Sequence, residues 1–344
     1  MPCTRSVSTV SVAMVLLDSR MISPMSTSFR TCSASPVRRA AKRLSAYRRR
    51  MPSTTSVVTI AVTIPSPNSG SMLTRPAVAS KSTPEPLPTA IFVRAVAHFD
   101  SALMSVGGGG TDSTRVLHLA SLGKGRALLN LGQYAAAATA VANVPANFRF
   151  VSEHSLTTRQ NQVWALNNSA RRYTMVNRDG GNGLDFIAAA DPRLPRCNGG
   201  DATCRAQTPS ITSNRSFDSS TPFTAQLVMP TRESSAPVAT GTEARLIIAE
   251  SHLKAGNDVQ WLAELNALRT GVTGLTPLVM PATAVDRENL MFRERAFWLY
   301  LTGNRMPDMR RLVRQYGRAQ QAVFPSGTFK DGLPYGDEVN LTPP

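Results

Sequence analysis

The chain is 344 residues long, enough for two ordinary domains. Its 38 Lys and Arg against 22 Asp and Glu give a net charge of +16. No stretch approaches the ~20 consecutive apolar residues of a membrane span, so a bundle of membrane-spanning helices is excluded. Four cysteines exclude a disulfide-dense miniprotein and a multi-zinc protein.

The charge is unevenly placed. Residues 1–90 hold twelve Lys and Arg against only Asp18 and Glu85, whereas the remaining residues carry a net charge of +6. This first segment is rich in Ser, Thr and Pro, has Phe29 and Tyr47 as its only aromatics, and has Gly70 as its only glycine. Its apolar patches, residues 10–17 and 57–64, are too short and too irregular to seed a core. Ordering a residue costs roughly 1–2 kcal/mol of backbone entropy, and this composition offers little apolar area to offset it. Residues 1–89 are therefore expected to be disordered or mis-translated.

Three functions compete for the segment. A secretion signal would use Arg5 and the apolar run that Asp18 ends, but no small-residue cleavage site follows. RRAAKRLSAYRRR (38–50) has the charge to neutralise phosphates, but only Tyr47 to stack on a base, so no nucleic-acid partner is expected. The favoured reading is a mis-called start, with these codons read in the wrong frame of a G+C-rich gene.

Helical periodicity begins abruptly at AIFVRAVAHFDSALMSV (90–106), where Ile91, Ala95, Phe99, Ala102 and Val106 recur at three- and four-residue steps. The glycine run 107–110 closes this helix; it lacks the Lys-Ser/Thr of a phosphate loop and reads as a linker. Residues 111–113 offer caps for a second helix over 115–132, and a third runs over 133–144 to Pro145. Gly125, Gly132, Tyr134 and Ala137 have the spacing of half a tetratricopeptide-like hairpin, with small residues where two helices cross. A second hairpin spans 242–272, with Leu246, Ala249, Leu253, Leu262, Leu265 and Leu268 on its apolar face and Asp258 as the cap of its returning helix. Helices over 285–303 and 305–318 follow. Between the hairpins, 146–241 is long and irregular, with strand-like pieces at 171–176 and 224–229. Its scattered Trp164, Tyr173, Phe186 and Phe217 argue against full disorder. The fold class is mainly α: tetratricopeptide-like hairpins with a loop-rich insertion.

Three stretches carry a family resemblance. EARLIIAESHLKAGN (243–257), FRERAFWLYLTGNRMPDMRR (292–311), and GKGRALLNLGQYAAAA with DPRLP (123–138 and 191–195) resemble the SusD/RagB-type outer-membrane nutrient-binding lipoproteins. The Glu-Arg…Gly-x-Arg-x-x-Asp-x-Arg-Arg spacing is the most specific of these. The resemblance covers about residues 90–344. It implies a helical-repeat protein at the cell surface that caps a SusC-like TonB-dependent barrel transporter and hands it oligosaccharides or similar nutrients. It implies no catalysis and no cofactor. Cys3 and Cys32 are not preceded by the apolar residues of a lipoprotein cleavage site.

Arg293, Glu294, Arg295, Arg305, Asp308, Arg310 and Arg311 alternate in sign across a helix–turn–helix joint, a pattern expected of structural ion pairs rather than ligand contacts. Cys197 and Cys204 bracket a turn-rich hexapeptide and are expected to pair in the oxidising compartment that a surface location implies. No further ligands are spaced for a metal site, and the four histidines lie far apart. Sugar recognition combines aromatic platforms with planar polar side chains. Trp164 with Asn161 and Asn167, and Tyr173 with Arg172, match that chemistry and are the candidate ligand contacts. The alternative function is an intracellular helical-repeat scaffold for protein partners, which predicts reduced Cys197 and Cys204 and repeats without long aromatic-containing loops.

Overall fold

A computed structural model describes residues 87–107, 110–207, 211–328, 332, 334 and 335. The N-terminal segment, its competing readings, Cys3 and Cys32 lie outside the described residues.

The first three helices are α1 (Leu87–Ser105), α2 (Thr111–Asn130) and α3 (Tyr134–Val141). Small residues let them approach closely. A Cβ on Gly123 would lie 2.3 Å from the Phe99 ring of α1, and one on Gly125 would lie 2.4 Å from Val141 Cγ1 of α3. Gly132 makes the α2–α3 turn at φ 75°, a conformation that costs a glycine nothing. The expected cap at 111–113 is not used: α2 starts at Thr111 after Gly110, with no side chain bonding its first amides.

Strand β1 (Arg149–Ser152) then pairs antiparallel with the later β4 (Ala236–Thr240), in the register Arg149↔Thr240, with a bulge after Phe150. A short turn, α4 (Gln162–Trp164), runs into a π-turn over Ala165–Ser169. Strand β2 (Arg196–Asn198), helix α5 (Ala202–Gln207) and strand β3 (Thr224–Gln226) follow, with β2 and β3 antiparallel. Of the two expected strand-like pieces, 224–226 pairs; 171–176 does not, because its amides bond to the π-turn and to Thr224 instead.

The second hairpin is α6 (Gly241–Lys254) and α7 (Asp258–Thr270), and α8 (Ala284–Trp298), α9 (Arg305–Tyr316) and α10 (Gln320–Val323) complete the described helices. Thr240 caps α6 through the Glu243 amide, and Thr283 caps α8 through the Asp286 amide at 3.1 Å. Asp258 is not a cap; it lies inside α7 and pairs with Arg287 at 3.1 Å. Gly241 sits where β4 turns into α6, and a Cβ there would lie 2.1 Å from the Pro145 carbonyl oxygen.

Two cores result. Leu122, Leu128, Leu129, Val141 and Ile247 unite α2, α3 and α6. Leu246, Ala249, Trp261, Leu265 and Met291 unite α6, α7 and α8, with the Trp261 indole donating to Met291 Sδ at 3.2 Å. Helix α6 faces both cores, so it is the spine of the fold. The chain is mainly α-helical and built of helical hairpins.

Candidate functional site

Glu294 and Arg295 are consecutive on α8, about 100° apart around its axis, and each anchors its own buried cluster. On one side the Glu294 carboxylate accepts from Arg193 at 2.7 and 3.1 Å and from Arg269 at 2.8 Å. Arg193 also holds Asp191 through bonds of 2.7 and 2.9 Å, and Arg269 donates to the Thr276 carbonyl at 2.8 Å. The DPRLP loop is thereby fixed to α7 and α8.

On the other side Arg295 donates to Asp308 of α9 at 2.8 and 2.9 Å. Arg311, one turn after Asp308, donates to it at 2.7 Å and to Glu250 of α6 at 2.9 Å. Tyr316 donates to Glu250 at 2.7 Å. All four charges are buried, Glu250 completely. Each cluster contains two cations and two anions and is neutral, which is what a low-dielectric interior requires. Burial works against the Asp308 carboxylate, but the Arg295 and Arg311 guanidiniums outweigh it and hold its pKa below the ordinary value.

The expected ion-pair block is therefore divided. Glu294, Arg295, Asp308 and Arg311 build the clusters. Arg293 turns outward, pairs with Asp185 at the surface and lies 4.6 Å from the Phe297 ring. Arg305 and Arg310 form no ion pair among the described residues, a correction to the expectation for those two. Arg310 precedes Arg311 by about 100° of helix rotation and so leaves the quartet. Burial pushes the Arg305 guanidinium below its ordinary pKa, an effect that the Asp308 charge offsets in part.

The candidate sugar contacts are distributed differently from the expectation. Asn161 is buried: its Oδ1 accepts from the Trp164 amide at 3.1 Å and its Nδ2 donates to the Ser234 carbonyl at 2.7 Å. Asn167 is buried too, donating to the Tyr173 carbonyl at 2.7 Å and accepting from the Gln226 amide at 3.0 Å. Trp164 is buried, with the Arg232 guanidinium 5.0 Å from its ring. Tyr173 Oη lies 2.6 Å from Tyr300 Oη, and burial raises its pKa against the opposing bond from Tyr300. These four residues are turned inward and hold the irregular segment to itself and, through Tyr300, to the turn that follows α8. Asn161, Asn167 and Tyr173 spend side-chain polar atoms within the fold and Trp164 is buried, which corrects their assignment as ligand contacts. Arg172 alone stays at the surface, its guanidinium 4.8 Å from the ring of Phe217.

Cys197 and Cys204 are joined by a disulfide with Cα atoms 5.1 Å apart, and it ties β2 to α5. A cleft of about 440 Å³ lies beside it, lined by Ile187, Arg196, Asn198, Asp201 and Thr203. A second cleft, about 250 Å³, is walled by Asp191, Arg193, Arg269, Arg293 and Glu294. Asp191, Arg193, Arg269 and Glu294 neutralise one another and Arg293 is paired with Asp185, so an ionic ligand there would have to displace an existing partner. Among the described residues no three His, Cys, Asp or Glu side chains are grouped to hold a metal ion. No helix among them is long and apolar enough to cross a membrane.

Sequence reasoning missed Glu250, Asp191, Arg193 and Arg269 as members of the buried clusters. The signal for Asp191 and Arg193 was present in the DPRLP stretch. Glu250 lay in the 243–257 stretch, but nothing local to it announces a partner 61 residues away, and Arg269, with a partner 25 residues away, gave no signal.

No family model matches the sequence, and no curated protein does. A solved structure, that of a SusD superfamily protein from Bacteroides vulgatus ATCC 8482, is similar to this chain with a TM-score of 0.38 and 12% identity. The match covers 64% of this chain and 57% of that one, so the chain spans little more than half of that structure.

Proposed function

We propose that the protein is a non-catalytic binding protein for an oligosaccharide or similar nutrient, acting at the outer-membrane surface and delivering its ligand to a SusC-like TonB-dependent transporter. The observation that carries this reading is the welding of α6, α8 and α9 by Glu250, Arg295, Asp308 and Arg311. These residues come from the two stretches, 243–257 and 292–311, whose spacing resembles the SusD/RagB-type lipoproteins, and their burial gives that spacing a physical purpose. The helices form a rigid frame, and the segment between the hairpins is folded against it by buried asparagines, leaving side chains such as Arg172 and Phe217 at the surface. Rigid frames that carry ordered loops are the usual platforms for ligand recognition. The scaffold alternative expects repeats without such loops, and the folded segment from β1 to β4 gives it no support.

Calorimetric titration of the full chain with a panel of soluble polysaccharides, with the sugar recovered and sized afterwards, tests the reading. Binding to one class with the polymer left intact is expected. Cleavage of the polymer, or no binding across the panel, would contradict it.

A further inference from the structure

The loop 215–221 is built to present one side chain. The Phe217 amide donates to the Arg171 carbonyl at 2.9 Å, and Arg171 Nη1 donates back to the Arg215 carbonyl at 2.7 Å. Arg215 Nη1 crosses the loop to the Ser220 carbonyl at 2.9 Å. Asp218 braces the turn, accepting from the Ser220 and Thr221 amides at 3.1 and 2.9 Å and from the Thr221 hydroxyl at 2.6 Å. Arg171 and Ser219 both hold positive φ, 52° and 60°, an uncommon conformation for residues other than glycine. Yet the phenyl ring at the tip of this braced loop is 63% exposed. The brace thus fixes the position of a ring that itself lies outside the core, leaving its face open to a ligand.

The charge of the loop is one-sided. Arg172 lies at the ring, Arg171 and Arg215 sit in the backbone brace beneath it, and Asp218 is the acidic residue of the loop, with its oxygens engaged in the brace. The Arg172 guanidinium lies over the ring and makes no hydrogen bond or ion pair among the described residues. A guanidinium held over an aromatic ring keeps its N–H donors directed outward, ready to grip an oxyanion with paired bonds.

We propose that Phe217 and Arg172, flanked by Arg171 and Arg215, form a binding site for an acidic saccharide. One sugar ring packs its apolar face on the exposed phenyl, and a carboxylate or sulfate on that or the next sugar is held by the guanidiniums. This rests on the nutrient-binding reading above and adds the ligand class and the contact residues.

The test is equilibrium binding of the labelled full chain to four probes: polygalacturonate, dextran sulfate, neutral dextran and a single-stranded oligodeoxynucleotide. Phe217→Ala leaves the net charge unchanged and removes an exposed ring, so it separates stacking from bulk attraction of polyanions to a basic chain. Arg172→Met removes the charge and keeps the side-chain length. The expected result is binding to polygalacturonate, dextran sulfate or both, weakened about tenfold by each substitution. The polymer preferred distinguishes carboxylate from sulfate. Acidic-polymer binding that Phe217→Ala leaves intact overturns the proposal. So does a Phe217→Ala loss confined to the oligonucleotide, which would mark a nucleic-acid surface. If the chain binds only neutral saccharides and neither substitution matters, this site falls while the nutrient-binding reading stands. Failure to bind any saccharide removes both.

Discussion

Glu250→Gln tests the buried quartet most sharply. The side chain is fully buried, and its oxygens receive Arg311 at 2.9 Å and Tyr316 at 2.7 Å, with Arg295 at 3.7 Å. At an effective dielectric of about 20, one unit-charge pair at that Arg311 distance is worth about 6 kcal/mol before desolvation. Glutamine keeps the shape but leaves Arg295 and Arg311 facing only Asp308, so one buried positive charge is uncompensated. Breaking such a pair costs about 3–5 kcal/mol, a large part of the ~5–15 kcal/mol that holds a typical domain together. Arg311→Met should cost a similar amount by leaving the opposite excess. The double variant Glu250→Gln/Arg311→Met restores neutrality, with Arg295 and Asp308 still paired. Its cost should fall short of the sum of the singles by at least ~1 kcal/mol. Arg293→Ala is the internal control: its Asp185 pair is about a third exposed on both sides, and losing it should cost under about 1 kcal/mol. Urea unfolding followed by far-ultraviolet circular dichroism measures all four. Glu250→Gln or Arg311→Met costing less than about 1 kcal/mol, or costs that add within about 0.5 kcal/mol in the double variant, would refute the quartet as the joint of the fold.

Other perturbations separate the remaining contributions. The depressed pKa of Asp308 makes its stabilisation present above the ordinary carboxylate value of 3.8 and lost as pH falls through the lower folded value. The urea midpoint should therefore hold from pH 7 to about 5 and decline below about 4, with a shallower acid decline in Asp308→Asn; equal declines would contradict this. Burial, with the Glu250 charge adding to it, pushes the Tyr134 hydroxyl up to about 12, so its contribution is complete below the ordinary 10.0 and fades as pH rises toward 12. Absorbance titration of Tyr134→Phe should lack one late-titrating tyrosine. Gly241→Ala forces a Cβ against the Pro145 and Ala146 carbonyl oxygens and should cost about 1–3 kcal/mol, whereas at Gly123→Ala the nearest atoms belong to the Phe99 side chain, which can shift, and the cost should be less. Melting temperatures of the two variants check that order. Reduction of the Cys197–Cys204 bond should lower stability by about 2–3 kcal/mol, read as a shift in the urea midpoint with and without reductant.

The helices were legible because apolar periodicity is a local property. Leu246, Ala249 and Leu265 recur at helical steps, and the structure buries all three. Glycine and alanine at 125 and 137 likewise marked the α2–α3 approach, since only small residues fit where Val141 comes so close. What failed was direction. Asn161, Asn167 and Trp164 have the composition of a sugar site, but composition does not say whether an amide faces water or caps a backbone. Here the backbone of a segment with little regular structure had to be satisfied, and buried asparagines satisfy it. Phe217 was legible only as a sign of order, because its pairing with Arg172 joins positions 45 residues apart through a loop whose geometry no local pattern specifies.

The central claim is that this chain works as a ligand-collecting partner of a barrel transporter. Affinity purification of the tagged full chain from detergent-extracted outer membranes of its source cells, with the retained proteins identified by mass spectrometry, tests it most directly. The account predicts a TonB-dependent barrel transporter held in near-equal amount. Recovery of the chain from the cytosolic fraction, with no barrel retained, would contradict it.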